Sequence, residues 1–147
     1  MQLQHLCDYE LTYRSEPLYE GAVKYVVPYG TSEGSLYGEG DGIFRGQRLS
    51  GTARWSNHAR RRSDGINLPD VHGIIRTDDG PYVLFTFQGR TLPVVEDKRR
   101  QLLSVLFEAE DERYAWLNSA VCVLEGLFAP DTNLMRGKVY TCVHELT

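Results

Sequence analysis

Apolar and polar residues alternate along most of this chain, and a repeat of two positions is typical of β-strands that bury one face. Turn-forming pairs such as Asp-Gly and Pro-Asp interrupt the alternation at short intervals. The pattern predicts nine strands, over residues 3–14, 21–27, 36–45, 47–55, 66–77, 81–89, 101–109, 118–127 and 136–145. These strands predict an all-β fold, a single antiparallel β-barrel that is closed or nearly closed, because closure pairs the edges that an open sheet would expose.

Residues 101–107 also fit a second interpretation, a short helical turn. This run of leucine, valine and phenylalanine is brief and is flanked by the charge runs 96–100 and 110–113. Its β-branched and aromatic content favours a strand, and both charge runs are predicted to be exposed connections.

Residues 70–89 predict one long β-hairpin whose register can be derived. A two-residue turn would place Pro81 at a position that must donate a backbone hydrogen bond, and proline has no N–H. A three-residue loop over residues 78–80, with Gly80 in the left-handed region, avoids this conflict and pairs Thr77 with Pro81. The register of the whole hairpin follows from that pair.

The two faces of this hairpin differ in chemistry. The largely polar face carries Asp70, His72, Ile74 and Arg76 opposite Gln88, Thr86, Leu84 and Tyr82. The apolar face carries Val71, Ile75, Val83, Phe85 and Phe87. The polar face is either a solvated outer surface, as is usual for antiparallel sheets, or the wall of a polar pocket. In the second case the apolar face would lie outside and be covered by a second copy, which predicts a homodimer.

Length and charge limit the classes of protein that fit. A chain of 147 residues suits one domain, residues 1–147, and can bury a core without disulfides or metals. The 16 basic against 20 acidic residues argue against nucleic acid or an anionic membrane as partner. The single basic cluster, residues 60–62, is either a solvated loop or a clamp for a phosphate or carboxylate. The chain has no apolar run of about 18 residues and no signal-peptide pattern, so we expect a cytoplasmic protein with no membrane partner.

The cysteines and histidines are scattered singly. Three cysteines without close spacing suggest neither a disulfide framework nor a zinc knuckle, and the four histidines lack a ligand spacing such as His-Glu-x-x-His. We therefore predict no metal and no cofactor, although ligands from distant strands would escape this test.

Three blocks of sequence carry a family resemblance. They are residues 42–51, Gly-Ile-Phe-Arg-Gly-Gln-Arg-Leu-Ser-Gly, then residues 70–80, ending in Arg-Thr-Asp-Asp-Gly, then Phe107-Glu108 followed by residues 113–118. In this order the blocks resemble the domain-of-unknown-function family 3237, also called uncharacterised protein family 0311. The resemblance implies a single antiparallel β-barrel, often a homodimer.

This chain departs from the family pattern at two places. Arg54 stands where the family often has an acidic residue before tryptophan, so an acidic site residue is absent here. His72 stands where the family commonly has arginine, and a histidine can exchange a proton near neutral pH whereas an arginine cannot.

The polar hairpin face supplies the candidate catalytic residues. His72 would transfer a proton, Asp70 would orient it indirectly or through water, and Tyr82 would polarise a substrate oxygen. Arg76 would anchor a substrate carboxylate. The remaining candidate substrate-binding residues are Thr86, Gln88, Glu108, Trp116 and Asn118, each with an ordinary alternative as a surface, core or turn residue.

Two kinds of function remain open at this point. The first is a cofactor-independent proton-transfer enzyme, an isomerase, cyclase or hydratase/lyase, acting on a small apolar or aromatic carbonyl compound. The second is a non-catalytic protein, either a lipocalin-like carrier of a small molecule or a structural dimer module.

Overall fold

The computed structural model describes residues 1–147, with the exception of the Tyr29 side chain. The strands are β1 (Gln2–Tyr13), β2 (Val23–Val26), β3 (Gly34–Arg45), β4 (Gly51–Asn57), β5 (Arg60–Arg61), β6 (Asn67–Leu68), β7 (Asp70–Thr77), β8 (Tyr82–Thr91), β9 (Arg99–Ala109), β10 (Cys122–Ala129) and β11 (Leu134–Val143). Two 3-10 helices, Pro28–Gly30 and Glu112–Ser119, complete the secondary structure.

Eight long strands form a closed antiparallel barrel, which confirms the predicted fold. The ring runs β1-β3-β4-β7-β8-β9-β10-β11 and returns to β1. The three short strands lie at one end, where β2 pairs with β3 and the β5-β6 ladder joins β3 to β8. Residues 101–107 lie within β9, so the strand interpretation of this segment is correct.

Inward-facing side chains fill the middle of the barrel. Four phenylalanines are almost fully buried there: Phe44, Phe85, Phe87 and Phe107. The ring centroids of Phe44 and Phe85 are 5.1 Å apart, and those of Phe85 and Phe87 are 5.0 Å apart. The centre is therefore a packed aromatic core rather than an open channel.

The hairpin formed by β7 and β8 has the predicted register. Thr77 N–H donates to the Pro81 carbonyl at 3.0 Å, and Gly80 has a φ of +113°. The paired residues include His72 with Thr86 and Arg76 with Tyr82.

The apolar face of this hairpin lies inside the barrel and the polar face lies outside. Val71, Ile75 and Val83 are fully buried, while His72 and Arg76 are exposed. The placement of the polar face in the lumen, which the enzyme hypothesis required, is therefore wrong. Burying each large apolar side chain contributes about 1.5–3 kcal/mol, so the apolar face takes the interior. The homodimer was predicted from an apolar face on the outside of this hairpin, and that face lies inside the barrel. The dimer therefore stays a prediction.

Several predicted strand boundaries need correction. The predicted strand 118–127 begins only at Cys122, because residues 112–119 form a 3-10 helix whose first turn is capped by the Asp111 side chain. The predicted strand 66–77 is split into β6 and β7 at Pro69, which cannot donate a ladder hydrogen bond. The predicted loop over residues 60–62 contains β5.

The 3-10 helix Glu112–Ser119 closes one end of the barrel, which we call the plugged end. Its Tyr114 and Leu117 side chains are buried against the core. The Tyr114 hydroxyl donates to Asp79 Oδ1 in the hairpin loop at 2.5 Å. The Asn118 amide binds both backbone groups of Ala109, at 2.7 Å to N and 2.8 Å to O, which fixes the helix to the end of β9.

In the described part of the chain, no helix has the length and apolar character needed to span a bilayer. The described residues also contain no group of three or more His, Cys, Asp or Glu side chains placed to hold one metal ion. Metal independence stays a prediction.

Candidate functional site at the mouth of the barrel

The end opposite the plug, which we call the mouth, contains a cluster of buried polar side chains. Asn57, Asn67, Thr91 and Gln101 are at most 8% exposed, although the rest of the barrel interior is largely apolar. They surround a cavity of about 50 Å³. The lining residues are Tyr13, Val23, Tyr25, Leu36, Asn57, Ala59, Asn67, Pro69, Thr91, Arg99, Gln101, Phe128 and Met135.

Four residues that line the mouth lie at the ends of strands. Tyr13, Asn57 and Thr91 are the last residues of β1, β4 and β8, and Arg99 is the first residue of β9. Each of the first three continues the inward-facing alternation of its strand, so the same period that fills the core also directs them into the mouth.

A glycine in β3 makes room for the Tyr13 ring. A Cβ atom at Gly38 would lie 2.5 Å from Cε1 of Tyr13, closer than any side chain tolerates. The Tyr13 ring then packs edge-on against Trp55, with the centroids 4.7 Å apart, and against Phe128. The floor of the cavity on this side is therefore aromatic.

The Tyr13 hydroxyl is positioned by Asn57. Asn57 Nδ2 donates to Tyr13 Oη at 2.8 Å, and Asn57 Oδ1 accepts from the backbone N–H of Asp70 at 3.0 Å. Burial raises the pKa of Tyr13 to about 12, against the opposing effect of the Asn57 hydrogen bond. The phenol is therefore protonated at neutral pH, and a ligand oxygen at this point would meet a hydrogen-bond donor.

Arg99 brings a positive charge to the mouth without a carboxylate beside it. Its Nε donates to Leu92 O at 2.8 Å and its Nη2 donates to Gly65 O at 2.7 Å. Burial lowers the pKa of Arg99, and the neighbouring charge of Arg61 acts in the same direction, partly opposed by Tyr25. Among the described residues Arg99 forms no salt bridge, and no lining residue of the cavity is acidic. An anionic oxygen is the natural complement of this arrangement.

A second arginine strengthens the positive charge at this end. The Arg61 guanidinium lies 5.2 Å from the centre of the Tyr25 ring, a cation–π arrangement. The basic cluster of residues 60–62, interpreted from sequence as either a loop or a clamp, thus contributes one arginine to the rim of the mouth.

Asp70, His72 and Gln88 form a hydrogen-bonded group on the outer surface, and none of the three lines the cavity. His72 Nε2 lies 2.8 Å from Asp70 Oδ1, and Gln88 Nε2 donates to the same oxygen at 2.9 Å. The expectation that Asp70 would orient His72 only indirectly is wrong, because side-chain tips on one face converge more closely than their Cα atoms. The Gln88 hydrogen bond, helped by His72, holds the pKa of Asp70 below its usual value, against a raising effect of burial.

The other predicted site residues also lie outside the mouth. Arg76 and Tyr82 border an open surface groove, and Thr86 pairs with His72 on the outer wall. Glu108 is exposed on the outer face of β9.

Trp116 and Asn118 belong to the plugged end. The Arg48 guanidinium covers the Trp116 ring at 3.6 Å, and Asn118 binds the backbone of Ala109. None of the nine predicted site residues appears among the described residues that line the mouth cavity.

Sequence reasoning missed Tyr13, Asn57, Thr91, Arg99 and Gln101. A usable signal existed for some of them: Asn57, Thr91 and Gln101 share strand parity with the apolar residues of β4, β8 and β9. A polar residue on the apolar face of a strand is buried, and buried polar groups need partners or a ligand.

The fold and the mouth define a small closed antiparallel barrel whose interior opens into a polar pocket at one end, a location where barrels commonly bind small molecules. The chain belongs to the family described as protein of unknown function (DUF3237), whose model matches residues 3–143.

Individual proteins are also similar to this chain. The hydroalkoxylation enzyme phnH of Penicillium herquei is 34% identical over 76 residues, a match that spans 52% of this chain and 42% of that protein. The crystal structure of an enzyme from Penicillium herquei superposes with a TM-score of 0.69 at 21% identity, covering 95% of this chain and 92% of that one. A β-barrel-like protein from Acinetobacter baumannii gives a TM-score of 0.81 at 18% identity, covering 95% and 94%. These structural similarities establish the fold.

Proposed function

We propose that the protein is a cofactor-independent enzyme that binds a small aromatic or conjugated carbonyl compound in the mouth of the barrel. The reaction is a proton-transfer reaction of the isomerase, cyclase or hydratase/lyase kind. The observation that carries the proposal is a pair of side chains in the mouth of a barrel whose centre is apolar. Arg99 has no carboxylate partner among the described residues, and the Tyr13 phenol is protonated.

The chemistry follows from the side chains that line the cavity. When an oxygen nucleophile adds to a carbon–carbon double bond conjugated to a carbonyl group, the electron pair of that bond moves onto the carbonyl oxygen. Arg99 stabilises the resulting enolate, and Tyr13, oriented by Asn57, donates a hydrogen bond to it. The attacking O–H gives up its proton to solvent, and the α carbon takes a proton from solvent, which completes the addition with no net change in protons.

The described lining residues include neither a carboxylate nor a histidine. The substrate therefore supplies an acidic O–H of its own, a phenol or enol, whose ionisation the positive charge of Arg99 favours. The name of the Penicillium herquei relative supports this class of reaction, since hydroalkoxylation adds an O–H across a carbon–carbon double bond.

Ligand entry requires the mouth to widen. A cavity of about 50 Å³ is smaller than the roughly 300 Å³ of a small ligand site. The segment best placed to move is β2, which has four residues and pairs with β3 alone. Val23 and Tyr25 of β2 line the cavity, so displacing this strand enlarges it.

Binding is tested with benzoate as an aromatic anion. Arg99→Gln should weaken benzoate binding at least about tenfold, the loss expected for a charge-assisted hydrogen bond. Arg100→Gln is the matched control, because this neighbouring arginine is exposed on the outer face of β9. Equal affinity in wild type and Arg99→Gln, measured by calorimetric titration, would contradict the proposed site, as would a wild type that does not bind.

Catalysis is tested with 2′-hydroxychalcone, which cyclises when its phenol adds to its conjugated double bond. The wild type should accelerate the loss of chalcone absorbance, and Tyr13→Phe should remove most of that acceleration while retaining benzoate binding. His72→Ala should behave as wild type. Benzoate binding with no acceleration of this reaction or of related hydroxy-enones would favour the carrier.

A further inference from the structure

Two buried polar atoms inside the barrel have no hydrogen-bond partner in the described structure. They are the Tyr9 hydroxyl and Oε1 of Gln101. Tyr9 is 2% exposed and Gln101 is 4% exposed. A buried polar group without a partner is costly, and folded proteins rarely retain one without a reason.

The two atoms belong to neighbouring positions on the barrel wall. Across the strands the register runs from Tyr9 to Gly137, from Gly137 to Gly126, and from Gly126 to Gln101. Both intervening residues are glycines, so no side chain separates the tyrosine from the glutamine.

The Tyr9 side chain extends across this glycine pair toward Gln101. A Cβ atom at Gly126 would lie 2.1 Å from Tyr9 Oη, so the hydroxyl occupies the space above Gly126. Gly126 is the direct partner of Gln101, and Cβ positions of such partners are roughly 4.5–5.5 Å apart. The phenol and the amide therefore face the same small volume from two sides.

The Gln101 amide is held in place by its other end. Its Nε2 donates to Thr91 Oγ1 at 3.0 Å and contacts Met135 Sδ at 3.7 Å. Turning the amide over would leave Nε2 instead of Oε1 without a partner, so one polar atom remains free in either orientation. Gln101 also lines the mouth cavity, so its side chain belongs to the wall of the proposed ligand site as well.

We propose that Tyr9 and Gln101 form a subsite for a hydroxyl group of the ligand. A hydroxyl accepts from Tyr9 Oη and donates to Gln101 Oε1, so one group satisfies both atoms. This inference rests on the proposed function and narrows its substrate class to compounds that carry a hydroxyl in addition to the carbonyl or anionic oxygen bound by Arg99.

The experiment compares 4-hydroxybenzoate with benzoate. In wild type the hydroxyl should tighten binding about tenfold, the contribution of a well-made buried hydrogen bond. Tyr9→Phe and Gln101→Met should each reduce this ratio to near one. Tyr140→Phe is the matched control, because its hydroxyl binds Glu125 on the outer surface and its loss should leave the ratio unchanged. A ratio that persists in both Tyr9→Phe and Gln101→Met overturns the subsite.

The outcome separates the subsite from the site itself. If Arg99→Gln weakens both probes but Tyr9→Phe and Gln101→Met leave the ratio intact, only the subsite is wrong. If Arg99→Gln changes neither probe, the proposed function is wrong.

Discussion

The two ends of this barrel are built from the same eight strands but have opposite chemistry. At the plugged end, Tyr114 and Leu117 of the 3-10 helix Glu112–Ser119 are buried against apolar strand residues. At the mouth, the same inward positions carry Asn57, Thr91 and Gln101. The alternation along each strand decides which side chains face inward, whatever their polarity. Apolar residues at the plugged end stabilise the fold, and polar residues at the mouth form the proposed binding site.

The two ends also differ in how completely their polar groups are hydrogen-bonded. At the plugged end, Asn118 binds both backbone groups of Ala109, and Tyr114 donates to Asp79. At the mouth, Gln101 keeps an unpartnered atom and Arg99 has no carboxylate partner among the described residues. Complete pairing is typical of a structural element, whereas incomplete pairing is typical of a binding site.

The largest expected effect is a loss of stability at alkaline pH. The loss should begin with ionisation of the buried thiols of Cys7 and Cys122, before the Tyr13 phenol at the mouth ionises. Burial raises the pKa of Cys7 from 9.0 to about 12 and that of Cys122 to about 11, whereas Tyr13 at the mouth rises from 10.0 to about 12. The folded state keeps these protons longer than the unfolded state, so stability is full below pH 9 and falls as the pH rises through the folded values. Each unit of difference corresponds to about 1.4 kcal/mol.

Denaturant titrations between pH 8 and pH 11 test this order. Cys7→Ala should remove part of the loss that starts above pH 9, and Tyr13→Phe only part of the loss that starts above pH 10. Stability that stays constant over this range would contradict the buried, protonated state of these groups.

Leu117→Ala should be the most damaging of the neutral-pH substitutions. Leu117 is fully buried in the plug, and truncating such a leucine costs about 2–5 kcal/mol. Urea denaturation measures the loss, and benzoate affinity of the folded variant should be unchanged because the mouth is at the other end. A lower benzoate affinity in a Leu117→Ala variant that remains folded would show that the two ends are not independent.

Gly38→Ala should disturb the mouth with a smaller loss of stability. The added methyl group collides with the Tyr13 ring, and overpacking of this kind costs about 1–3 kcal/mol. Because the collision moves the Tyr13 hydroxyl, chalcone cyclisation should slow as well, as it does in Tyr13→Phe. Gly21→Ala is the control, since its methyl group would meet only Val23 O at 3.9 Å. Equal stability of the two variants would show that the Tyr13 ring can move freely.

His72→Ala should have the smallest effect. His72 is on the outer wall, and substitutions of exposed residues usually change stability by less than about 0.5 kcal/mol. Benzoate affinity and chalcone cyclisation should equal those of wild type. Loss of activity with an unchanged urea midpoint would move the chemistry from the mouth to the outer surface.

The sequence predicted the hairpin register because local chemistry determines it. Pro81 cannot donate a ladder hydrogen bond and Gly80 tolerates a positive φ, so the loop length followed from two residues. The pattern leaves the assignment of the two faces open, because a period of two defines two faces but does not determine which one is buried.

The site was not predicted because its parts are separated along the chain. Tyr13, Asn57 and Gln101 meet only after eight strands close, and none of them lies in a recognisable motif. The plug was missed for a different reason. Residues 112–119 begin with the charged pair Glu112-Arg113, and their two buried side chains, Tyr114 and Leu117, give too weak a pattern to indicate a helix.

The way in which the ring closes determines the order of folding. Strand β1 pairs with β11 on one side and with β3 on the other, so residues near opposite ends of the chain form one ladder. During synthesis β1 has no β11 to pair with until residues 134–143 have left the ribosome. Hairpins between neighbouring strands, such as β7-β8 and β10-β11, are available much earlier, because short loops close quickly. Because β1 can already pair with β3, assembly ends with the pairing of β1 and β11, and until that step the β11-facing edge of β1 is open to aggregation.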